Sequence, residues 1–252
     1  MSGAKSLYPI TPDKFDAVLF DLDGVLTATA KVHAICWKKM FDEYLQNRAS
    51  RTGGPFQPFE IATDYRLYVD GKPRFDGVRD FLQSRGIELP EGTPADPPQT
   101  ETVCGLGNHK NEMINAVIET NGVEAYEGSI ALVRRIRKDG IEVAVVTSSQ
   151  NCDIVLNAAG IGDLFKVKVD GNVIHQENLS GKPAPDAFLA AAKKLGVDPK
   201  RAVVVEDAIS GVQAGRAGGF GLVIGVARKQ DSEELRKHGA DMVVNDLGEL
   251  LV

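Results

Sequence analysis

The chain is poor in what several protein classes need. Its three cysteines in 252 residues, Cys36, Cys104 and Cys152, are odd in number and lack metal-ligand spacing. That excludes a disulfide framework and reads as reduced thiols in a cytoplasmic protein. No apolar run approaches the roughly 20 residues a membrane span needs. The opening stretch MSGAKSLYPITPDKFD has no long apolar core and does not read as a secretory leader. Basic residues number 29 against 35 acidic ones, for a net charge of −6, so there is no basic footprint for nucleic acid or an anionic membrane. There is no internal repeat. No Gly-rich turn follows the first apolar run, which disfavours a dinucleotide binder.

What is present is an alternation of short apolar runs with helical segments. The 43% hydrophobic and 25% charged content is that of a globular protein, and 252 residues suffice for one large domain or two modest ones. Ala17 to Phe20, Ile141 to Thr147, Ala202 to Val205 and Gly221 to Gly225 read as strands with both faces buried. SIALVRRIRKDG and PDAFLAAAKKLG have helical apolar spacing and end in a glycine suited to a C-cap. Ala208 to Ala217 reads as a further helix, and VKVDGNVI carries Asp170-Gly171 as a hairpin signal. Repeated strand–helix–strand implies a doubly wound, Rossmann-like parallel sheet covered on both faces. Residues 30–126 differ: VHAICWKKMFDEYL and NEMINAVIET look helical, with turn-rich pieces between them. This segment reads as a mainly helical cap inserted after the first strand, within an α/β core of residues 1–29 and 127–252.

Ligands of parallel α/β sheets bind beyond the carboxyl ends of the strands. Asp21 and Asp23 arrive there together after VLF, and Gly24 allows the chain to turn. Two such carboxylates repel unless a hard cation or a shared proton resolves the conflict. Glu206 and Asp207 follow another strand, and the two acidic pairs suit a Mg²⁺ site built of few carboxylates, waters and a phosphate. Taken singly, Asp207 reads equally as a helix N-cap. Thr147, Ser148 and Ser149 offer hydroxyls and turn amides for phosphate oxygens, although SSQN alone is a plain helix cap. Lys182 precedes a Pro-initiated helix, as a phosphate partner or a surface lysine.

In this order, DLDGV, a strand ending in TSS, GKPAP and VVVEDAISG resemble the haloacid-dehalogenase-like phosphotransferase superfamily. The resemblance implies that Asp21 is a nucleophile forming an aspartyl-phosphate and that Asp23 is the general acid/base. It implies that Thr147 and Lys182 steady the phosphoryl group. Mg²⁺ would be held by Asp21, the Asp23 backbone carbonyl and Asp207, supported by Glu206.

The finer resemblance is to the β-phosphoglucomutase family, through DLDGV followed by Thr29, His33 and Trp37. Read singly, His33 is equally a helix-surface histidine and Trp37 a core aromatic. YVDGKPRFDGVRDFL is similar to that family's specificity loop, with Gly71 and Arg74 in place and Arg74 suited to clamp a distal phosphate. Lys110 matches a further cap lysine, and Ser149 and Asn151 match core-loop residues that touch substrate. The family's lysine before Gly71 is here Asp70, with Lys72 two residues later. The implied activity interconverts β-D-glucose 1-phosphate and glucose 6-phosphate through a bisphosphate, with a small-molecule sugar phosphate as partner and no obligate protein partner evident. A capped phosphatase for a small sugar phosphate shares every core residue. A phospho-accepting signalling domain is the remote alternative, being about half this length by the usual size of such domains.

Overall fold

The computed structural model describes residues 9–251; residues 1–8 of the stretch read as carrying no leader lie outside them. From β1 (Ala17–Phe20) the chain enters α1 (Ala30–Thr52), a π-helical stretch at Ile61–Val69, α2 (Arg74–Ser84) and α3 (Val103–Asn121). It continues through α4 (Glu127–Lys138), β2 (Glu142–Val146), α5 (Cys152–Ala158), β3 (Val167–Val169), α6 (Gly171–Gln176) and α7 (Asp186–Leu195). It closes with β4 (Ala202–Glu206), α8 (Ile209–Ala217), β5 (Leu222–Val226), α9 (Ser232–Lys237) and β6 (Met242–Val244). Two compact units result, one interrupted between Ala28 and Val123, the other being Thr29–Gly122.

The first unit is the expected α/β core. Its six strands lie in the order β3-β2-β1-β4-β5-β6, and every adjacent pair is parallel. All residues of β1 and β4 are buried, which explains why AVLF and AVVVE show no polar alternation. One face of the sheet packs Leu19, Val146 and Val204 against Phe188 and Ala191 of α7. Because β1 is flanked by β2 and β4, the chain winds outward in both directions from it, and a crevice opens at the carboxyl ends there. Phe20 is level with Val145 on one side and Val205 on the other, so the residues that follow these strands emerge side by side.

The second unit is helical, with no strand among the described residues. Its core is aromatic: Phe41 stacks on Trp37 and Phe59, and its ring centroid lies 4.1 Å from that of Phe81. No helix among the described residues is long and apolar enough to cross a membrane.

One local expectation fails. Asp170-Gly171 does not turn a hairpin: β3 pairs in parallel with β2, and Asp170 caps α6, its Oδ1 accepting from the Asn172 and Val173 amides at 3.0 and 2.9 Å. An Asp side chain before Gly serves a helix N-terminus as readily as a tight turn. The sheet's need for a crossover decided between them.

Candidate active site

The acids at the ends of β1 and β4 meet at one buried point. The Asp21 amide donates to the Val205 carbonyl at 2.9 Å, continuing the β1–β4 ladder one residue beyond β1. Lys182, reached through the loop before α7, donates from Nζ to Asp21 Oδ1 and Glu206 Oε1, both at 2.6 Å, and to the Val146 carbonyl at 3.3 Å. Its side chain is fully buried, so the surface-lysine alternative is excluded. The other Glu206 oxygen accepts from the Ala208 amide at 2.9 Å. Asp21, Glu206 and Asp207 each offer an oxygen within 4.8 Å of the others, a hard all-oxygen donor set of the kind a divalent cation requires.

The helix-cap alternative for Asp207 also fails, since the N-cap of α8 is Ala208, with no side-chain cap. Instead Asp207 closes on the turn after β1. Gly24 lies there at φ +92°, and a Cβ on it would collide with the Asp207 carboxylate. Only glycine adopts that backbone while leaving the space open.

Charge inside this cluster is unbalanced. Burial pushes the Asp21 carboxyl well above the usual carboxylate range; Lys182 opposes the shift, while Glu206, Asp23 and Asp207 reinforce it. For Lys182, burial disfavours the ammonium, but the Asp21 and Glu206 carboxylates outweigh it and hold the pKa above the ordinary lysine value. The group that gains most from an added cation is therefore Asp21.

The β2 end supplies hydroxyls. Thr147 is buried, its amide donating to the Val169 carbonyl at 3.0 Å and its Oγ1 accepting from the Ser149 amide at 3.1 Å. Ser149 Oγ accepts from the Asn151 amide at 3.2 Å. Asn151 is the N-cap of α5 without a side-chain cap bond, so SSQN is a chain of turn contacts, not a plain cap. Ser148 and Asp23 are half-buried.

In the helical unit, three expected residues come together. Lys110 Nζ donates to His33 Nδ1 at 2.8 Å and lies 4.9 Å from the Trp37 ring centroid. A lysine ammonium has no acceptor, so His33 Nδ1 is the unprotonated nitrogen. Lys110 is only 5% exposed, unusual for a lysine. Arg74 opens α2, donating to Asn108 Oδ1 at 3.0 Å and lying over the Phe75 ring. Burial lowers its pKa to about 10. Gly71 has φ +72°, and the Asp70 amide donates to the Tyr65 carbonyl at 2.9 Å. Lys72 is held by Asp80 at 2.6 Å.

Three residues escaped the sequence reading. Two of them form the basic pair after β5: Arg228 Nε donates to the Gly24 carbonyl at 3.0 Å, and Lys229 Nζ lies 3.2 Å from Asp207 Oδ2. Both obey the same strand-end logic as Asp21 and Thr147, which could have found them. Asn108 is the third. Its amide donates to the Pro94 and Asp96 carbonyls, fixing the oxygen that receives Arg74, and nothing in sequence separates it from an ordinary helix residue.

The model of a haloacid dehalogenase-like hydrolase family matches residues 15–219. A β-phosphoglucomutase of Mycobacterium tuberculosis is 52% identical over 95% of this chain and 93% of its own. Hexitol phosphatase A of Escherichia coli is 32% identical over 93% of this chain and 92% of its own. Among solved structures, a β-phosphoglucomutase from Clostridium difficile superposes with a TM-score of 0.74 at 25% identity, over 94% of this chain and 93% of that one.

Proposed function

The chain belongs to the haloacid dehalogenase-like hydrolase family, as an enzyme of the phosphotransferase kind, and on that premise we propose that it interconverts β-D-glucose 1-phosphate and glucose 6-phosphate. One observation carries the chemistry: the buried Asp21 carboxylate receives the Lys182 ammonium at 2.6 Å, with Asp207 completing an acidic group around it.

Asp21 is the nucleophile. Its oxygen bonds to phosphorus as the bond from phosphorus to the donor sugar oxygen breaks, splitting one difficult transfer into two. Asp23, half-buried two residues on, gives its proton to that departing oxygen and takes one from the sugar hydroxyl in the reverse half-reaction. In the mutase cycle phosphorylated Asp21 gives its phosphoryl group to the 6-hydroxyl of β-glucose 1-phosphate, and the resulting β-glucose 1,6-bisphosphate returns its 1-phosphoryl group to Asp21 and leaves glucose 6-phosphate. Lys182 fixes Asp21 and offsets charge on the transferred group, while Thr147, Ser148, Ser149 and Asn151 offer hydroxyl and amide donors for its oxygens. A carboxylate nucleophile so close to other acids suits Mg²⁺, with Asp21, the Asp23 carbonyl and Asp207 as ligands. Both Glu206 oxygens already accept from protein donors, so Glu206 supports the set from behind. When bound, Mg²⁺ draws charge from the phosphoryl oxygens.

His33, Trp37, Gly71, Lys72, Arg74 and Lys110 are assigned to the sugar and its second phosphate. Arg74 suits a phosphate geometrically, since its planar guanidinium can donate twice. Because Lys72 is engaged by Asp80, Arg74 and Lys110 carry the main burden of charge in this reading. The reduced thiols fit a cytoplasmic enzyme.

The 52% identity to a mutase favours isomerisation. The 32% identity to a hexitol phosphatase supports hydrolysis by the same core as the second reading. The test is purified protein with Mg²⁺, β-glucose 1-phosphate and a trace of glucose 1,6-bisphosphate, following glucose 6-phosphate and free phosphate together. Glucose 6-phosphate forming far faster than phosphate, and lost in Asp21→Asn, is the expected result. Phosphate alone would establish the hydrolase.

A further inference from the structure

We propose that Lys229 is a positioning residue, a tethered counter-ion that holds the Asp207 carboxylate between metal-binding events and gives it up to the divalent cation. The inference rests on the metal site assigned above and concerns a residue in none of the four motifs.

The cluster holds three buried carboxylates, and the fully buried Lys182 touches two of them, Asp21 and Glu206, at 2.6 Å each. Asp207 is the third, and the ammonium that reaches it is Lys229, 3.2 Å from Oδ2. Each acid of the group thus meets a lysine, but the two lysines differ in kind. Lys182 is locked, with no exposed side-chain surface and a third bond to the Val146 carbonyl. Lys229 is 30% exposed and sits in the loop between β5 and α9, on a stem of four rotatable bonds. Its neighbour Arg228 anchors that loop, donating to the Gly24 carbonyl, to the Asn245 carbonyl and to Asp246 Oδ2, and covering the Tyr126 ring at 3.7 Å. The anchor places Lys229 beside Asp207, with part of its side chain open to water.

A metal ion and Lys229 use the same carboxylate and both bring positive charge to it. They therefore compete, and the more exposed of the two lysines is the one that yields. Two consequences follow by linkage. Lys229 stabilises the metal-free protein, and it weakens the apparent affinity for the cation by the strength of the contact it surrenders.

The experiment titrates Mg²⁺, and separately Mn²⁺, into metal-free wild type, Lys229→Met, Lys229→Arg and Asp207→Asn by calorimetry. Thermal unfolding of each is followed with and without Mg²⁺. Lys229→Met is expected to bind the cation about twofold to fivefold more tightly, the range a partly exposed ion pair supports. Lys229→Arg should stay near wild type. The Tm gain from Mg²⁺ should be larger in Lys229→Met than in wild type, because only the metal-free state loses a contact. Unchanged or weaker binding in Lys229→Met overturns the proposal, as does an equal Tm loss with and without Mg²⁺. Wild type binding no better than Asp207→Asn would instead overturn the metal site itself, and the proposal with it.

Discussion

Lys182 Nζ donates to Asp21 Oδ1 at 2.6 Å across 161 residues of sequence, inside a cluster where neither side chain meets bulk water appreciably. The sheet order brings these two residues together, since β1 lies beside both β2 and β4, whose ends carry the other partners.

Lys182→Met should therefore be costly in two ways. It leaves Asp21 and Glu206 buried without their shared cation, for a loss of about 3–5 kcal/mol in urea unfolding. Turnover should fall by at least ~100-fold, since a preorganised charge is removed from the reacting group. Because the folded pKa of Lys182 is raised above the ordinary 10.5, its stabilisation is complete below that value. It fades as pH rises through the higher folded value. Unfolding midpoints of wild type and Lys182→Met should stay well separated up to pH 10.5 and converge only above it.

Gly24→Ala tests the close approach of Asp207. The new Cβ would collide with the carboxylate and would need φ +92°, so we expect a loss of ~1–3 kcal/mol in stability. Mg²⁺ affinity by calorimetry should drop as well. Wild-type affinity in a folded Gly24→Ala protein would show that Asp207 does not need this space.

Arg74→Met should raise stability while damaging function. Burial lowers the Arg74 pKa to about 10, which marks a charge held where it is poorly solvated. A depressed pKa contributes stability only above the unfolded value and loses it as pH falls through about 10, so at neutral pH the charged form is a net strain. The expected outcome is a small rise in Tm at pH 7 with KM for the sugar phosphate raised at least about tenfold, the scale of one lost charge-assisted pair. Asn108→Leu, which removes the oxygen that receives Arg74, should raise KM with little change in kcat.

The thiols should be inert in the folded protein. Cys36, Cys104 and Cys152 are all buried, and burial raises all three pKa values, that of Cys152 most strongly. A thiol-specific chromogenic disulfide should titrate none of them quickly at pH 8 and all three after denaturation. Rapid reaction of Cys152 in the native protein would contradict this.

The acids, the hydroxyls and Lys182 were legible because each follows a buried strand or opens a helix, and that grammar is local. Asp170-Gly171 signals a hairpin and caps a helix instead, because the dipeptide serves both structures equally well until the partner strand is known. Helix α2 is marked by Phe75, Val78, Phe81 and Leu82 at helical spacing, whereas the π-helical stretch Ile61–Val69 is not, because its i→i+5 bonding departs from the α-helical period. Arg228 and Lys229 follow the end of β5 as the other site residues follow their strands, but a basic pair on a polar stretch is ordinary by itself.

The sequence alone determined the parallel α/β class, the inserted helical segment and the four strand-end motifs, because burial on both faces and the turns that end each strand leave local marks. Tertiary structure alone decided which oxygen each charge meets. It set Lys182 between Asp21 and Glu206, gave Asp207 to Lys229, and fixed Arg74 on Asn108. Those pairings depend on strand order and on the room left by a glycine such as Gly24, and ångström-scale distances between residues far apart in the chain leave no local trace.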